Sequence, residues 1–174
     1  MKANPKITPL MKTLNSRDLE SYMQSSNIEA EILHLDAPTP TVEAAAQAVG
    51  CQPEQIVKSI LFMVNGAPVL AVACGPRRVD ARALARRFEV GRKRVKLAYP
   101  EQVIEVAGYE VGAMPPFGHR EPLRTLLDPA VVSQTEVYAG GGEENALLRI
   151  SPQAIQRAAQ AELWDLNAPS EGGN

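Results

Sequence analysis

The sequence feature that most constrains the fold is residues 59–76, a long stretch without a charged side chain. Its length raises the question of a membrane span, but Asn65-Gly66 and Pro68 lie in its middle, where a turn would expose backbone groups to lipid. Asn-Gly between two apolar runs is a strong signal for a β-hairpin. We therefore predict two strands, 56–64 and 69–74, and because both are nearly continuously apolar we expect central strands covered on both faces.

Short helices and strands are predicted on either side of this hairpin. Capping residues mark the helix ends: Thr41 begins a helix that Gly50 ends, and Asp80 begins another. The predicted helices span about 16–26, 42–49, 81–88, 99–107 and 152–163, with Ser16 and Ser151 as further N-caps, and the other predicted strands span 30–35, 109–112, 123–127, 131–134, 136–139 and 147–150. The pattern predicts an α/β or α+β class, with a mostly β core wrapped by short helices.

Length and composition fit one domain. The chain has 174 residues, of which 45% are hydrophobic and 22% charged, which excludes global disorder. We place the domain at 16–166, a flexible lead-in at 1–15 and a disordered tail at 167–174. Cys51 and Cys74 belong to no C-x-x-C pair, and the start of the chain lacks the apolar segment of a signal peptide. We therefore expect a cytoplasmic protein.

The charge is unevenly distributed. The formal net charge is −2, which argues against a generally basic nucleic-acid binder. Residues 76–96, however, hold nine basic and two acidic side chains, a local charge of +7, so the remainder carries −9. Arg78, Arg82 and Arg86 fall four apart and line one side of a predicted helix. This basic block is either an ordinary solvated helix face or a surface that meets phosphates.

Lys58 is the first candidate functional residue. In an extended strand its side chain shares a row with the apolar Ile56 and Ile60. The ammonium group either reaches solvent at the strand end or stands at a cleft, where it holds an anionic group or polarises a carbonyl. Ser59 faces the other way, and with no partnered base in the sequence it is a weak nucleophile candidate.

The second candidate is the loop 112–119, with the sequence Gly-Ala-Met-Pro-Pro-Phe-Gly-His. Two prolines stiffen it, and the flanking glycines permit sharp turns and close backbone approach. Phe117 either plugs the core or meets a ligand, and His119 is either a base near neutral pH or a structural histidine. The other histidine is His34, and no cysteine or carboxylate stands at ligand spacing, so no metal site is expected.

The third candidate is the glycine run 140–142. It lacks the G-x-G-x-x-G spacing, and no Lys-Ser/Thr follows it, so it is neither a dinucleotide-binding fingerprint nor a P-loop. It is either a flexible hairpin turn before a strand or a place where backbone approaches a substrate.

In this order, these pieces resemble the YbaK and prolyl-tRNA-synthetase-associated editing family. The matching stretches are 41–45 (Thr-Val-Glu-Ala-Ala), 55–62 (Gln-Ile-Val-Lys-Ser-Ile-Leu-Phe), the loop 112–119, and the glycine run before 147–152 (Leu-Leu-Arg-Ile-Ser-Pro). They cover about residues 16–163, and the Val-Lys-Ser strand followed at a distance by G-x-x-P is specific in combination. The sequence departs at 143–146, where Glu143 and Glu144 stand in place of a more basic stretch.

The resemblance implies a compact domain with a mixed, barrel-like sheet that hydrolyses the ester of a mischarged small amino acid, alanine or cysteine, on tRNA for proline. It implies that Lys58 is the catalytic residue, that the backbone of the G-x-x-P loop contacts the amino acid, and that no metal or organic cofactor takes part. The substrate-binding candidates are Thr41, Ser59, Gly112, Ala113, Met114, Pro115, Pro116, Phe117, Gly118, His119 and Gly141. The expected partners are the aminoacyl-tRNA acceptor end, which Arg78, Arg82 and Arg86 would hold, and an aminoacyl-tRNA synthetase.

Two other functions stay open at this point. A non-catalytic module would use the same cleft to hold a tRNA end or a small ligand beside a synthetase. A generic small-ester hydrolase would use His119 as its base.

Overall fold

The predicted apolar hairpin lies at the centre of the fold, as two adjacent antiparallel strands joined by Asn65 and Gly66. The computed structural model describes residues 12–167. Its helices are α1 (Ser16–Ser25), α2 (Val42–Val49), α3 (Ala81–Phe88), α4 (Pro100–Ala107), α5 (Pro129–Val132) and α6 (Pro152–Ala159). Its strands are β1 (Ala30–His34), β2 (Val57–Val64), β3 (Ala67–Cys74), β4 (Val95–Leu97), β5 (Arg124–Leu127), β6 (Val137–Gly140), β7 (Ala146–Ile150) and β8 (Glu162–Leu163), with short 3-10 turns at Pro53–Gln55 and Arg92–Arg94.

The strands form two sheets. The larger has the order β4-β2-β3-β5-β8, in which β2 pairs antiparallel with β3 and β4, while β5 pairs parallel with β3 and β8. The smaller has the order β1-β7-β6 and is antiparallel. A parallel bridge between Ile56 and Tyr138 joins them. The mixed α/β class is therefore confirmed; the sheets are not closed within residues 12–167, and the barrel-like arrangement stays a prediction.

Both faces of the central hairpin are covered, as its apolar sequence predicts. Val57 and Leu61 of β2 point into the main core, where the smaller sheet and α1 also pack. Phe62 and Val64 point the other way, into a second core beneath α3. Because side chains alternate along a strand, Lys58 lies on the α3 face and Ser59 on the main-core face.

Four local predictions are wrong, each for a physical reason. Asn15, not Ser16, caps α1: its side chain accepts from the N–H groups of Arg17 and Asp18, whereas Ser16 is buried and donates to Glu143. Residues 109–112 form no strand, because Gly108 is left-handed at φ 93° and the chain turns again at 111–113.

The predicted strand 131–134 is mostly the short helix α5. Asp128 accepts from the N–H of Ala130, and Pro129 occupies the first helical position, so the cap overrides the β preference of two adjacent valines. The last helix ends at Ala159, because Gln160 turns left-handed at φ 48° before β8 begins.

The predicted lead-in and tail lie mostly outside the described residues, since 1–11 and 168–174 are not described. At the boundaries, the N–H of Leu14 donates to the Gly108 carbonyl, and the Asn167 amide donates to the Asp128 carboxylate. None of the helices in the described part is long and apolar enough to cross a membrane.

Candidate functional site

Lys58 lies where the chain after β3 closes against the start of β2. The N–H of Gly75 donates to the Ile56 carbonyl at 2.6 Å, and a Cβ at Gly75 would lie 2.6 Å from Val42 Cγ2. Only glycine fits this approach. It brings the Gly75 carbonyl to 3.1 Å from the Lys58 Nζ, which donates to it.

Lys58 is half-buried, and its ammonium has no counter-ion among residues 12–167. Burial lowers the pKa of Lys58 below its ordinary value, and the positive charge of Arg78 lowers it further. The salt bridges formed among residues 12–167 involve other side chains. Two cations that repel each other beside one backbone carbonyl form a site that an anion would stabilise.

The basic block is largely free to meet a partner. Arg78, Arg82 and Arg86 are exposed and form no ion pair with the described residues. Arg87, in contrast, pairs with Glu162 and stacks on Trp164, so it belongs to the fold.

The loop 112–119 and the glycine run form one wall. The N–H of Gly142 donates to the Ala113 carbonyl at 2.9 Å, and a Cβ at Gly140 would lie 2.3 Å from the Met114 carbonyl oxygen. The strands that carry Lys58 and Gly140, β2 and β6, contact each other next to the parallel bridge between Ile56 and Tyr138. The fold thus brings the Lys58 strand, the glycine run and the G-x-x-P loop together.

The side chains of this loop face inward. Ala113, Met114 and Phe117 are at most 4% exposed, and Phe117 stacks on Tyr22 with ring centroids 6.1 Å apart. The Phe117 side chain is therefore packed in the core. What the loop presents outward is backbone, above all at Gly112, which is exposed at φ +88° with open space around it.

His119 is held as a structural group. Its Nε2 lies 2.8 Å from the Pro115 carbonyl, and its ring meets Tyr109 edge to face. Burial lowers the pKa of His119 to about 4, although the bond to Pro115 opposes this shift. At neutral pH the imidazole is therefore uncharged, and its Nε2–H donates to the carbonyl, so this nitrogen is not available as a base.

Each of the remaining candidates has a local structural role or environment of its own. The Thr41 Oγ1 accepts from the N–H of Ala44 and caps α2. Ser59 Oγ is buried without a hydrogen-bond partner among the described residues, on the main-core face opposite Val72. Gly141 forms a tight turn, where a Cβ would lie 2.6 Å from the Ala146 carbonyl carbon. The role of each as a substrate contact stays a prediction.

A large cleft lies elsewhere. It has a volume of about 870 Å³ and is lined by residues 116–120, the start of β5 and the end of α6, but not by Lys58. Its charged groups are satisfied within the protein: Arg120 donates to the Ile104 carbonyl, and Arg124 donates to Glu162. The candidate site is therefore the region around Lys58, where a cation is left without an acidic partner among the described residues, rather than this cleft.

Gly75 is not among the candidates predicted from the sequence, and Gly140 is predicted only as part of the glycine run 140–142. Gly75 supplies the carbonyl that Lys58 contacts, and Gly140 makes the closest approach to the G-x-x-P loop. The sequence signal was present in both cases, as a glycine directly after a strand-forming run. Within residues 12–167, no three His, Cys, Asp or Glu side chains cluster as metal ligands.

Comparison with known proteins gives consistent matches. The model of the aminoacyl-tRNA editing domain matches residues 36–158. A solved structure described as a "putative trans-editing enzyme for prolyl tRNA synthetase" superposes with a TM-score of 0.83 at 32% identity, covering 88% of this chain and 97% of that one.

Curated relatives fall into two kinds. The uncharacterized protein YwhH of Bacillus subtilis is 24% identical over 152 residues, which are 87% of this chain and 95% of that protein. A proline–tRNA ligase of Geobacillus kaustophilus is 28% identical over 143 residues, which are 82% of this chain but 24% of the ligase. The chain thus matches small proteins along most of their length and a ligase along about a quarter of its length.

Proposed function

Because this chain belongs to the aminoacyl-tRNA editing domain family, we propose that it is a trans-acting deacylase, which hydrolyses the ester between a wrong amino acid and tRNA. The solved structure that matches 88% of this chain, and is itself matched over 97% of its length, is described as a trans-editing enzyme, which supports action in trans. An enzyme of translation acts in the cytoplasm, so the proposal places the protein there.

The observation that carries the proposal is the unpaired cation site at Lys58. Its Nζ is half-buried, donates to the Gly75 carbonyl and stands near Arg78, with no acidic partner among the described residues. A phosphodiester near the tRNA 3′ end carries one negative charge, which would attract both cations and offset the repulsion between them. Lys58 and Arg78 would thereby fix the ester beside the wall formed by the loop 112–119 and Gly140.

The chemistry needs little more than such positioning. A water molecule attacks the ester carbonyl carbon, the bond to the ribose oxygen breaks, and that oxygen takes up a proton to become a hydroxyl. The amino acid leaves as a carboxylate. Because an aminoacyl ester is already activated, orientation and stabilisation of the oxyanion supply most of the catalysis. In this proposal the backbone at Gly112, which has open space around it, orients the carbonyl or the α-amino group.

The proposed substrate is a small amino acid, alanine or cysteine, on tRNA for proline. The names of the matched proteins, a proline–tRNA ligase and a trans-editing enzyme for prolyl tRNA synthetase, support the choice of tRNA for proline. The choice of alanine and cysteine is what the family resemblance implies. A small pocket rejects large side chains but separates near-isosteres poorly. We therefore propose activity on both amino acids, with a synthetase partner contributing to tRNA selection.

The alternatives make different demands on the site. A generic esterase would need His119 as its base, and the pKa of about 4 with the bond to Pro115 argues against that role. A non-catalytic module would use the same cations without turnover.

One panel separates these functions. Purified protein is given alanyl- and cysteinyl-tRNA for proline, correctly charged prolyl-tRNA, and the free aminoacyl esters. Hydrolysis of the mischarged tRNAs that is faster than that of prolyl-tRNA and of the free esters supports editing. Equal turnover of the tRNAs and the free esters supports the esterase. Binding of tRNA without turnover supports the non-catalytic module.

A further inference from the structure

An exposed edge of the larger sheet carries open apolar side chains. The edge strand β4 pairs with β2, so that Leu97 stands opposite Phe62. Leu97 is 62% exposed, and Tyr99, two residues further along, is 67% exposed. Tyr99 is the most exposed large apolar side chain of the described part. An amphipathic ring placed so openly is well suited to contact a partner.

Tyr99 lies on the same face of the sheet as Lys58. The N–H of Ala98 donates to the Leu61 carbonyl, so the pairing continues beyond Leu97 and sets Tyr99 level with Ile60. Ala98 points into the main core, and by alternation Tyr99 points to the opposite face, which is that of Lys58. One strand across and two residues along correspond to about 8 Å between the Cα atoms of Lys58 and Tyr99.

The surroundings of Tyr99 are strongly basic on one side. The exposed 3-10 turn Arg92–Arg94 precedes it, and α3 packs against this turn and β4. Lys96 is exposed as well, but it is paired with Met63 and therefore lies on the other face of the sheet. The positive surface thus runs from Arg78 along α3 to β4, and it ends at Glu101 in the first turn of α4. A nucleic-acid strand matches both features of this surface, because its phosphates can pair with the cations and its flat bases can stack on the ring.

We propose that Tyr99, flanked by Leu97 and Ile60, is a stacking platform for an unpaired base at the 3′ end of the RNA that Lys58 and Arg78 hold by phosphate. This inference rests on the proposed function, because it takes the RNA to be the tRNA acceptor end. It adds a contact with a base to a surface that otherwise binds the RNA only through the charge of its phosphates. An aromatic ring stacks on any base, so the contact positions the end without reading its sequence.

The test uses binding rather than turnover. The probe is uncharged tRNA whose terminal adenine is replaced by 2-aminopurine, a fluorescent base that stacking quenches. Three variants are compared with wild type: Tyr99→Ala removes the ring, Tyr99→Phe keeps it, and Leu163→Ala changes an exposed side chain on β8 at the opposite edge of the same sheet.

The platform predicts a specific pattern. Tyr99→Ala binds at least about fivefold more weakly and loses the quenching, because one stacked base contributes at least that factor. Tyr99→Phe and Leu163→Ala behave as wild type. The salt dependence of Tyr99→Ala is unchanged, because stacking releases no counterions.

Two results would overturn the platform. The first is that Tyr99→Ala binds the probe and quenches its fluorescence as well as Leu163→Ala does. The second is that Tyr99→Phe loses as much affinity as Tyr99→Ala, which would assign the contact to the hydroxyl. Failure of the proposed function looks different: the probe is still quenched through Tyr99, but no mischarged tRNA is hydrolysed. Thermal melting of each variant controls for folding, which exposed side chains should leave intact.

Discussion

The contact between Gly140 and the G-x-x-P loop gives a prediction whose size follows from the structure. In Gly140→Ala the new Cβ would lie 2.3 Å from the Met114 carbonyl oxygen and 2.9 Å from that of Ala113. Both neighbours are backbone, so the loop must shift rather than rotate a side chain. Overpacking of this kind costs about 1–3 kcal/mol, which lowers Tm by roughly 2–12 °C in a domain of this size.

Gly91→Ala is the matched control. Gly91 has an ordinary φ of −65°, and nothing lies within 4 Å of the Cβ it would gain. The same substitution there restricts the unfolded chain and should stabilise the protein by about 0.4–1 kcal/mol. Calorimetric melting measures both variants. If Gly140→Ala melted at the temperature of Gly91→Ala, the loop and the glycine run would not form one rigid wall.

Three further changes test other parts of the account. Asp128→Ala removes a buried carboxylate that accepts from the N–H of Leu166, and denaturant titration should show a loss of about 1.5–3 kcal/mol; no loss would refute this role. Charge reversal at Arg82 and Arg86 should raise the KM for tRNA and flatten its salt dependence, whereas an unchanged KM would place the tRNA elsewhere. His119→Asn should leave the pH profile of activity unchanged between about pH 6 and 8, since a group with a pKa of about 4 is neutral throughout that range; loss of an inflection near pH 6.5 would make His119 a base.

The parts of the fold that the sequence predicts are those with local causes. Asn65 and Gly66 both have positive φ, at 50° and 83°, as the hairpin turn requires. Thr41 and Gly50 cap the two ends of α2. Asp80 caps α3 as predicted. Each of these signals acts within a few residues, so one sequence suffices to recognise it.

The predictions that fail concern segments whose structure is determined by distant contacts or by a stronger helix cap. The valines at 131–132 favour a strand, but the Asp128 cap forms a helix instead. The residues after Gly108 look extended, but Gly108 is left-handed at φ 93° and the hydroxyl of the buried Tyr109 donates to the Gly118 carbonyl, so this segment turns instead of pairing as a strand.

The candidate site shows the same division. Its residue types can be read from the sequence, but the half-burial of Lys58 depends on Gly75, which is brought close by the end of β3. The closeness of Arg78 and the exposure of Tyr99 follow from how α3 and β4 sit on the sheet. No local pattern carries that information.

The central claim is that the Lys58 ammonium fixes the ester, and Lys58→Met tests it most directly. Methionine keeps most of the side-chain stem without the charge. Burial lowers the pKa of Lys58, so folding disfavours the charged form, and Lys58→Met should melt no lower than wild type. The wild-type rate should fall as pH rises through this lowered pKa, where the ammonium is lost.

The decisive measurement is the single-turnover rate of hydrolysis of alanyl-tRNA for proline by wild type and Lys58→Met, at neutral pH and saturating enzyme. We expect a loss of about 100-fold or more, the scale on which misplacing a bound substrate slows its reaction, in a variant that still melts cooperatively. Hydrolysis at the wild-type rate by folded Lys58→Met would contradict it.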